Sequence, residues 1–317
     1  MLALCVSVAA GCAGTKPYVE EPAEGGFHLF NRPAVKNPAG QWAHVQDLQR
    51  EGKAKAAAKQ AYALRIFWPE SEEAPEAQLL YARWLDGTEH WMDAAEQYQF
   101  LLDHYPGHCD FDEVIATQMR IAKAVMARRL GKCLFFPGVK APEKAIPLFE
   151  KIAKAAPEAD VAAEAWLLIG RAHEEVYEDE EAVNAYLTSY NRFPTSPLAE
   201  EALLARTLCQ IKMAKQTPND NRALDEARAA CLFYLGRYPR GKGQAEVREA
   251  LADVRARQAQ GAFDRAVYYD KTLRKPEAAR LEYEAFLERF PEAEHAAEAK
   301  ARLAELGTAE SVQEEKK

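Results

Sequence analysis

The chain has little of what most biochemical classes require. Basic residues number 41 against 49 acidic ones, for a net charge of −8, and no long Lys/Arg run occurs anywhere. A surface that tracks phosphates needs clustered positive charge, so nucleic acid is not an expected partner. Cysteine is scarce: six in 317 residues, at positions 5, 12, 109, 133, 209 and 231, with no C-x-x-C spacing. That excludes a small disulfide scaffold and the usual zinc-ribbon or dithiol patterns. No G-x-S-x-G, H-E-x-x-H or P-loop motif is present, so no catalytic or cofactor-binding constellation is expected and the chain is not read as an enzyme. Apolar runs are missing too. The only uninterrupted one precedes Cys12 and is shorter than the roughly 20 residues that span a bilayer. What remains, 48% hydrophobic and 28% charged, suits a soluble body with a sizeable core.

What is present is a repeat, visible once the chain is aligned on proline. Twelve residues before Pro69, Pro106, Pro157, Pro194, Pro239 and Pro291 stand Ala57, Ala94, Ala145, Ala182, Ala227 and Ala279. Eight before them stand Ala61, Tyr98, Phe149, Tyr186, Cys231 and Tyr283. Immediately before them stand Trp68, Tyr105, Ala156, Phe193, Tyr238 and Phe290, and eight after them Ala77, Val114, Ala165, Ala202, Val247 and Ala299. A small residue followed four later by a large one lets two helices approach and then fills the gap between them. The proline stops the second helix and turns the chain toward the next pair.

These columns resemble the tetratricopeptide repeat. The clearest copy is Trp166-x-x-Ile169-Gly170-x-x-His173, followed by Ala182, Tyr186 and Pro194. The fold expected is therefore all-α, a tetratricopeptide-repeat α-solenoid of helix-turn-helix pairs over residues 44–306. Insertions are expected at 131–141 and 215–221, each between the helices of a pair, with a stretched helix over 244–272. The polar segment 307–317 is expected to be a disordered tail.

The N-terminal segment S-V-A-A-G-C-A-G resembles a bacterial lipobox, with Ala9, Ala10 and Gly11 before Cys12. Leu is usual where Ala9 stands, and no basic leader precedes the apolar stretch, so residues 1–11 are read as a shortened signal segment. Cys12 is the expected lipid attachment site; an inconsequential apolar end is the alternative. Residues 12–43, with Pro17, Pro22, Pro33 and Pro38, read as a lipidated N-terminus and tether reaching about 25–30 Å.

A lipobox followed by such repeats resembles the BamD-type lipoproteins of the outer-membrane β-barrel assembly machinery. The stretches E-A-R-A-A-C-L-F-Y-L-G-R-Y-P and R-A-R-Q-A-Q-G-A-F-D-R-A-V-Y-Y-D-K-T, the latter followed by K-P-E-A-A-R-L-E-Y-E-A-F-L-E-R-F-P, are similar to that family's last repeats. The resemblance implies a periplasm-facing, lipid-anchored scaffold without catalytic activity. Its partners would be unfolded outer-membrane protein clients and the periplasmic domains of the barrel insertase. Ala13, where an aspartate would retain a lipoprotein in the inner membrane, points to the outer membrane. The insertion at 131–141 departs from family lengths and leaves open another envelope scaffold, coordinating peptidoglycan synthesis with division or assisting secretin or pilus assembly.

Two charged columns follow the same register. Seven after each proline stands a glutamate: Glu76, Glu113, Glu164, Glu201, Glu246 and Glu298. Fourteen after stand Arg83, Arg120, Arg171, Leu208, Asp253 and Glu305, on the same face of each first helix. Arg83, Arg120 and Arg171 are candidate peptide-binding residues, holding a client carboxylate through bidentate guanidinium contacts. The competing reading is mutual pairing with the glutamates of neighbouring repeats. His104, His108, Cys109 and Cys133 are read as loop residues rather than a zinc site, and no metal or cofactor is expected. Cys209 and Cys231 form either a buried thiol pair or a disulfide. Glu178-Asp179-Glu180-Glu181 reads as a solvated helix start.

Overall fold

The computed structural model describes residues 32–130, 138–217 and 220–314, and thirteen α-helices lie within them. They fall into two compact units, residues 1–144 and 145–317. In the first unit α1 (Pro38–Arg50), α2 (Ala54–Phe67), α3 (Ala74–Gly87), α4 (Trp91–His104) and α5 (Phe111–Ala127) each pack on the next. A two-residue antiparallel pairing of β1 (Arg129–Leu130) with β2 (Val139–Lys140) follows α5. In the second unit the same succession runs through α6 (Ile146–Ala155), α7 (Asp160–Glu175), α8 (Asp179–Arg192), α9 (Ala199–Gln216), α10 (Asn221–Arg237), α11 (Gln244–Val267), α12 (Pro276–Arg289) and α13 (Ala296–Glu314).

Each unit is thus a stack of antiparallel helix hairpins of the tetratricopeptide type. The packing columns account for it. Ala57, Ala94, Ala145, Ala182, Ala227 and Ala279 are all fully buried, and Tyr98, Phe149, Tyr186, Cys231 and Tyr283 fill the space beside them with at most 3% exposure. Burying an aromatic or large aliphatic side chain contributes about 1.5–3 kcal/mol, so each large member of the column adds on that order to the helix–helix adhesion.

The proline column closes every second helix in one way. The residue before each proline is the C-cap, with φ between −125° and −137° and ψ between 51° and 69°. Its N–H still donates to the carbonyl four residues back, while the proline ring excludes it from the helical well. Its carbonyl then accepts from the N–H three residues on, closing a turn with proline second: Ser71 to Trp68, His108 to Tyr105, Ala159 to Ala156, Ser196 to Phe193, Gly241 to Tyr238 and Ala293 to Phe290. The opposite ends of four hairpins turn through a left-handed residue, of which only Gly52 is glycine; Glu89, Tyr177 and Arg274 have φ of 51–66°.

Three boundaries differ from expectation. The repeats begin at Pro38, because Asn37 caps α1 by accepting from the Gly40 N–H at 2.7 Å and Pro38 takes the first helical position. That Asn-Pro pair reads in sequence as tether. α13 runs to Glu314, past the expected end at Leu306. α11 gives way at Tyr268–Thr272 to a π-helical turn, which swings Asp270 inward. The insertion expected at 131–141 does fall between α5 and α6, and residues 131–137 lie outside the described ones, as do Cys12 and Cys133.

Candidate protein-binding surface

In the first unit the helices leave a cleft of about 650 Å³ lined by Trp42 and Gln49 of α1, by Ala54 and Ala57 of α2, and by Glu76, Leu79, Leu80, Arg83 and Trp84 of α3. Trp42, Leu79, Leu80 and Trp84 are each only half-buried. The small side chains of α2 open the space, and the two indoles wall it. Trp84 also borders a second, more open depression edged by Lys53, Lys55 and Lys59. Its ring continues an aromatic row: Trp84 stacks on Tyr81 at 6.2 Å between centroids and on His90 at 6.3 Å, and Tyr81 meets Tyr62 at 4.7 Å. The unit therefore presents an apolar slot beside a rim of exposed ammonium groups. That arrangement suits an extended polypeptide with bulky apolar residues and nearby carboxylates.

The candidate arginines stand as follows. Arg83 lines the cleft and donates to Glu113 Oε1 at 2.9 Å; Arg171 is paired with Glu201 and Arg120 with Asp86. Two of the three pairs thus join the arginine column to the glutamate of the following hairpin, the competing reading of these columns. All three arginine side chains keep roughly half their surface in solvent (48–56%), so a ligand carboxylate can reach them by exchanging with the resident acid.

Other predicted groups separate cleanly. Cys209 and Cys231 are buried free thiols, and burial pushes them up to about 12 and about 11 respectively. His104 stacks on Phe100 at 3.9 Å with Nδ1 against the Phe100 carbonyl, while Cys109 is a half-buried free thiol. Among the described residues no group of three or more His, Cys, Asp or Glu is arranged to hold a metal, and no helix is long and apolar enough to cross a membrane. Asp179 corrects the reading of its acidic run as solvated. It is buried, because α9 covers the start of α8 and brings Lys212 Nζ to 2.6 Å from its carboxylate.

Three features escaped the column analysis. Trp42 and Trp84 do not recur at equivalent repeat positions, so no register reveals them. The glutamines do recur: Gln41 donates to the Gln60 carbonyl and side chain, and one repeat later Gln78 does the same to Gln97. That pattern was legible in the same proline register. The third is an ion pair on a buried acid, in which the half-buried Arg302 donates to both carboxylate oxygens of Asp270, at 2.7 and 2.8 Å, and holds that acid below the usual carboxylate range.

No family model and no curated protein matches the chain. Solved structures that resemble it include a double mutant of MamA RS-1, at 14% identity and TM-score 0.29 over 71% of this chain and 98% of that one. A tetratricopeptide repeat protein from Parabacteroides merdae matches at 12% identity and TM-score 0.31, over 85% and 98% respectively. The C-terminal part of a repeat-containing protein from Cytophaga hutchinsonii matches at 15% and 0.33, over 84% and 88%. The class rests on the hairpins themselves: this is a tetratricopeptide-type helical fold. Such a fold supports a protein–protein interaction role.

Proposed function

We propose that the protein is a lipid-anchored scaffold on the periplasmic face of the outer membrane, working in β-barrel assembly by binding alone. Cys12 carries the lipid, the first unit receives unfolded outer-membrane protein clients, and the second engages the periplasmic domains of the barrel insertase. The observation that carries the reading is the Trp42–Trp84 cleft with its lysine rim. Strands destined for a membrane barrel alternate apolar and polar residues. The slot takes the apolar side chain, and Lys55 and Lys59, with Lys53 and Arg83 by exchange with Glu51 and Glu113, take neighbouring carboxylates. Arg120 and Arg171 extend the same exchange to other carboxylates of the client.

The insertion between α5 and α6 favours a second reading, a scaffold of another envelope complex, in peptidoglycan and division coordination or in secretin or pilus assembly. Purification from detergent extracts decides between them. The barrel insertase co-purifies with the protein under the first reading, and its absence after mild crosslinking contradicts it. Mass spectrometry of the native N-terminus tests the anchor: a diacylglycerol-modified Cys12 is expected, and an unlipidated Met1 contradicts it.

A further inference from the structure

The second unit holds a cleft that its repeat register does not explain. α11 has 24 residues where most of the other helices have 10–18, and its two halves serve different cores. Val247, Ala250 and Val254 join the core built with α9 and α10, whereas Ala259, Phe263 and Ala266 join that of α12 and α13. Between them α11 turns Ala252, Arg255 and Ala256 to solvent. Here a cleft of about 680 Å³ opens, bounded by α10, the middle of α11 and the turn after α12.

Three guanidinium groups line it, from Arg228, Arg255 and Arg289, over an apolar floor that includes Phe286. Arg228 is half-buried, and its Nε is buried without a hydrogen-bond partner among the described residues. Gln258 is 8% exposed; its Nε2 donates to Asp225 at 2.7 Å, and its Oε1 is buried with no partner among the described residues. Asp225 also receives Arg289 at 3.2 Å. The lining thus offers unused donors beside one unused acceptor, each costly to leave unmet in a buried setting.

We propose that this cleft binds an acidic, extended peptide segment of a partner protein. Its carboxylates meet Arg228 and Arg255, one backbone N–H reaches Gln258 Oε1, and an apolar side chain lies against the half-buried Phe290. The orphaned acceptor suits a peptide, whose main chain offers an N–H at every non-proline residue where a phosphodiester backbone offers only acceptors. Glu292 and Glu294 on the rim oppose closely spaced anions, such as a sheet of lipid phosphates, more than separated carboxylates that can each meet Arg228 or Arg255. The inference rests on the scaffold reading alone and not on which envelope complex the protein serves.

The probe is a fluorescein-labelled synthetic peptide of alternating Glu and Leu, followed by polarisation with the full chain at low salt. Saturable binding is expected, weakened about tenfold by Arg228→Gln or Arg255→Gln, as for loss of one charge-assisted hydrogen bond. Gln258→Leu is expected to weaken binding about threefold while leaving its salt dependence unchanged. A peptide with Gln in place of Glu is expected not to bind. Arg255 is exposed, so its substitution leaves the fold intact, and far-ultraviolet circular dichroism verifies this. Equal affinity in the Arg255→Gln variant, or capture of a DNA oligonucleotide or phosphatidylglycerol vesicles in preference to the peptide, overturns the proposal. Peptide binding without insertase co-purification contradicts the proposed machinery and leaves this cleft standing; the converse contradicts the cleft alone.

Discussion

Gly170 of α7 lies flat against the ring of Tyr186 of α8, so close that a Cβ at residue 170 would overlap the ring carbons Cδ1 and Cε1. The ring has nowhere to go: Tyr186 is 1% exposed and its hydroxyl donates to Glu174 at 2.8 Å. Replacing a mid-helix glycine with alanine ordinarily gains about 1 kcal/mol. Here overpacking costs about 1–3 kcal/mol and more where backbone must shift. Gly170→Ala therefore lowers stability by up to about 2 kcal/mol, and by more where the backbone must shift, with a lower thermal midpoint, and adding Tyr186→Leu recovers part of the loss. A single variant as stable as the parent contradicts this packing.

The arginine columns separate stability from binding. The Arg83–Glu113 and Arg171–Glu201 pairs are exposed on both sides and contribute about 0–1 kcal/mol each, whereas Arg120 covers the largely buried Asp86, so changing all three arginines to Gln costs about 1–3 kcal/mol in total, most of it at Arg120. Affinity for a client peptide measured at low salt falls in the same variant. Unchanged affinity means that these residues serve only their partners Glu113, Asp86 and Glu201.

Acid tests the pair at the end of the second unit. The Arg302 guanidinium holds Asp270 below its ordinary value, aided by Lys271 and the Tyr283 hydroxyl against the opposing effect of burial. A carboxyl whose folded pKa is depressed contributes stability above its unfolded pKa, near 3.9, and that contribution fades as pH falls through the folded value. Asp270→Asn is thus less stable than the parent at pH 6, by about 2 kcal/mol for charged hydrogen bonds lost. The gap closes as pH drops below about 4. Urea denaturation across that range measures it, and a gap that stays constant into strong acid refutes the assignment.

How much of this was legible in the sequence follows from what repeats. Columns anchored on proline report helix ends and packing, because each hairpin solves the same steric problem; Ala182, Tyr186 and Pro194 were readable for that reason. Their neighbours in a binding surface answer to a partner instead. Trp42 and Trp84 stand in different registers, so alignment hides them. Arg228, Arg255 and Arg289 come together only because α11 outgrows its repeat. Asp179 misled for a related reason: its acidic run has the composition of a solvated face, and only the packing of α9 reveals Lys212 above it. The Asn37-Pro38 start was written in the chain as a cap and first-turn pair but is indistinguishable by composition from a tether.

Thiol chemistry distinguishes the buried cysteines from the half-buried one. With Cys209 and Cys231 pushed up to about 12 and 11 by burial, the reactive thiolate is scarce at pH 8 and access is closed. Iodoacetamide is expected to modify Cys109 first and to reach Cys209 and Cys231 only in denaturant, as read by peptide mass spectrometry. Recovery of a Cys209–Cys231 disulfide from native protein contradicts the free-thiol state.

Under the proposed function the first unit holds clients in the Trp42–Trp84 cleft. A photo-crosslinking benzoylphenylalanine placed at position 49, an exposed residue lining that cleft, tests it in cells. Adducts with unfolded outer-membrane proteins are expected from position 49, lost on Trp84→Ala and absent from a control at position 96 on α4. Equal adducts from both positions, or none from position 49, contradict the account.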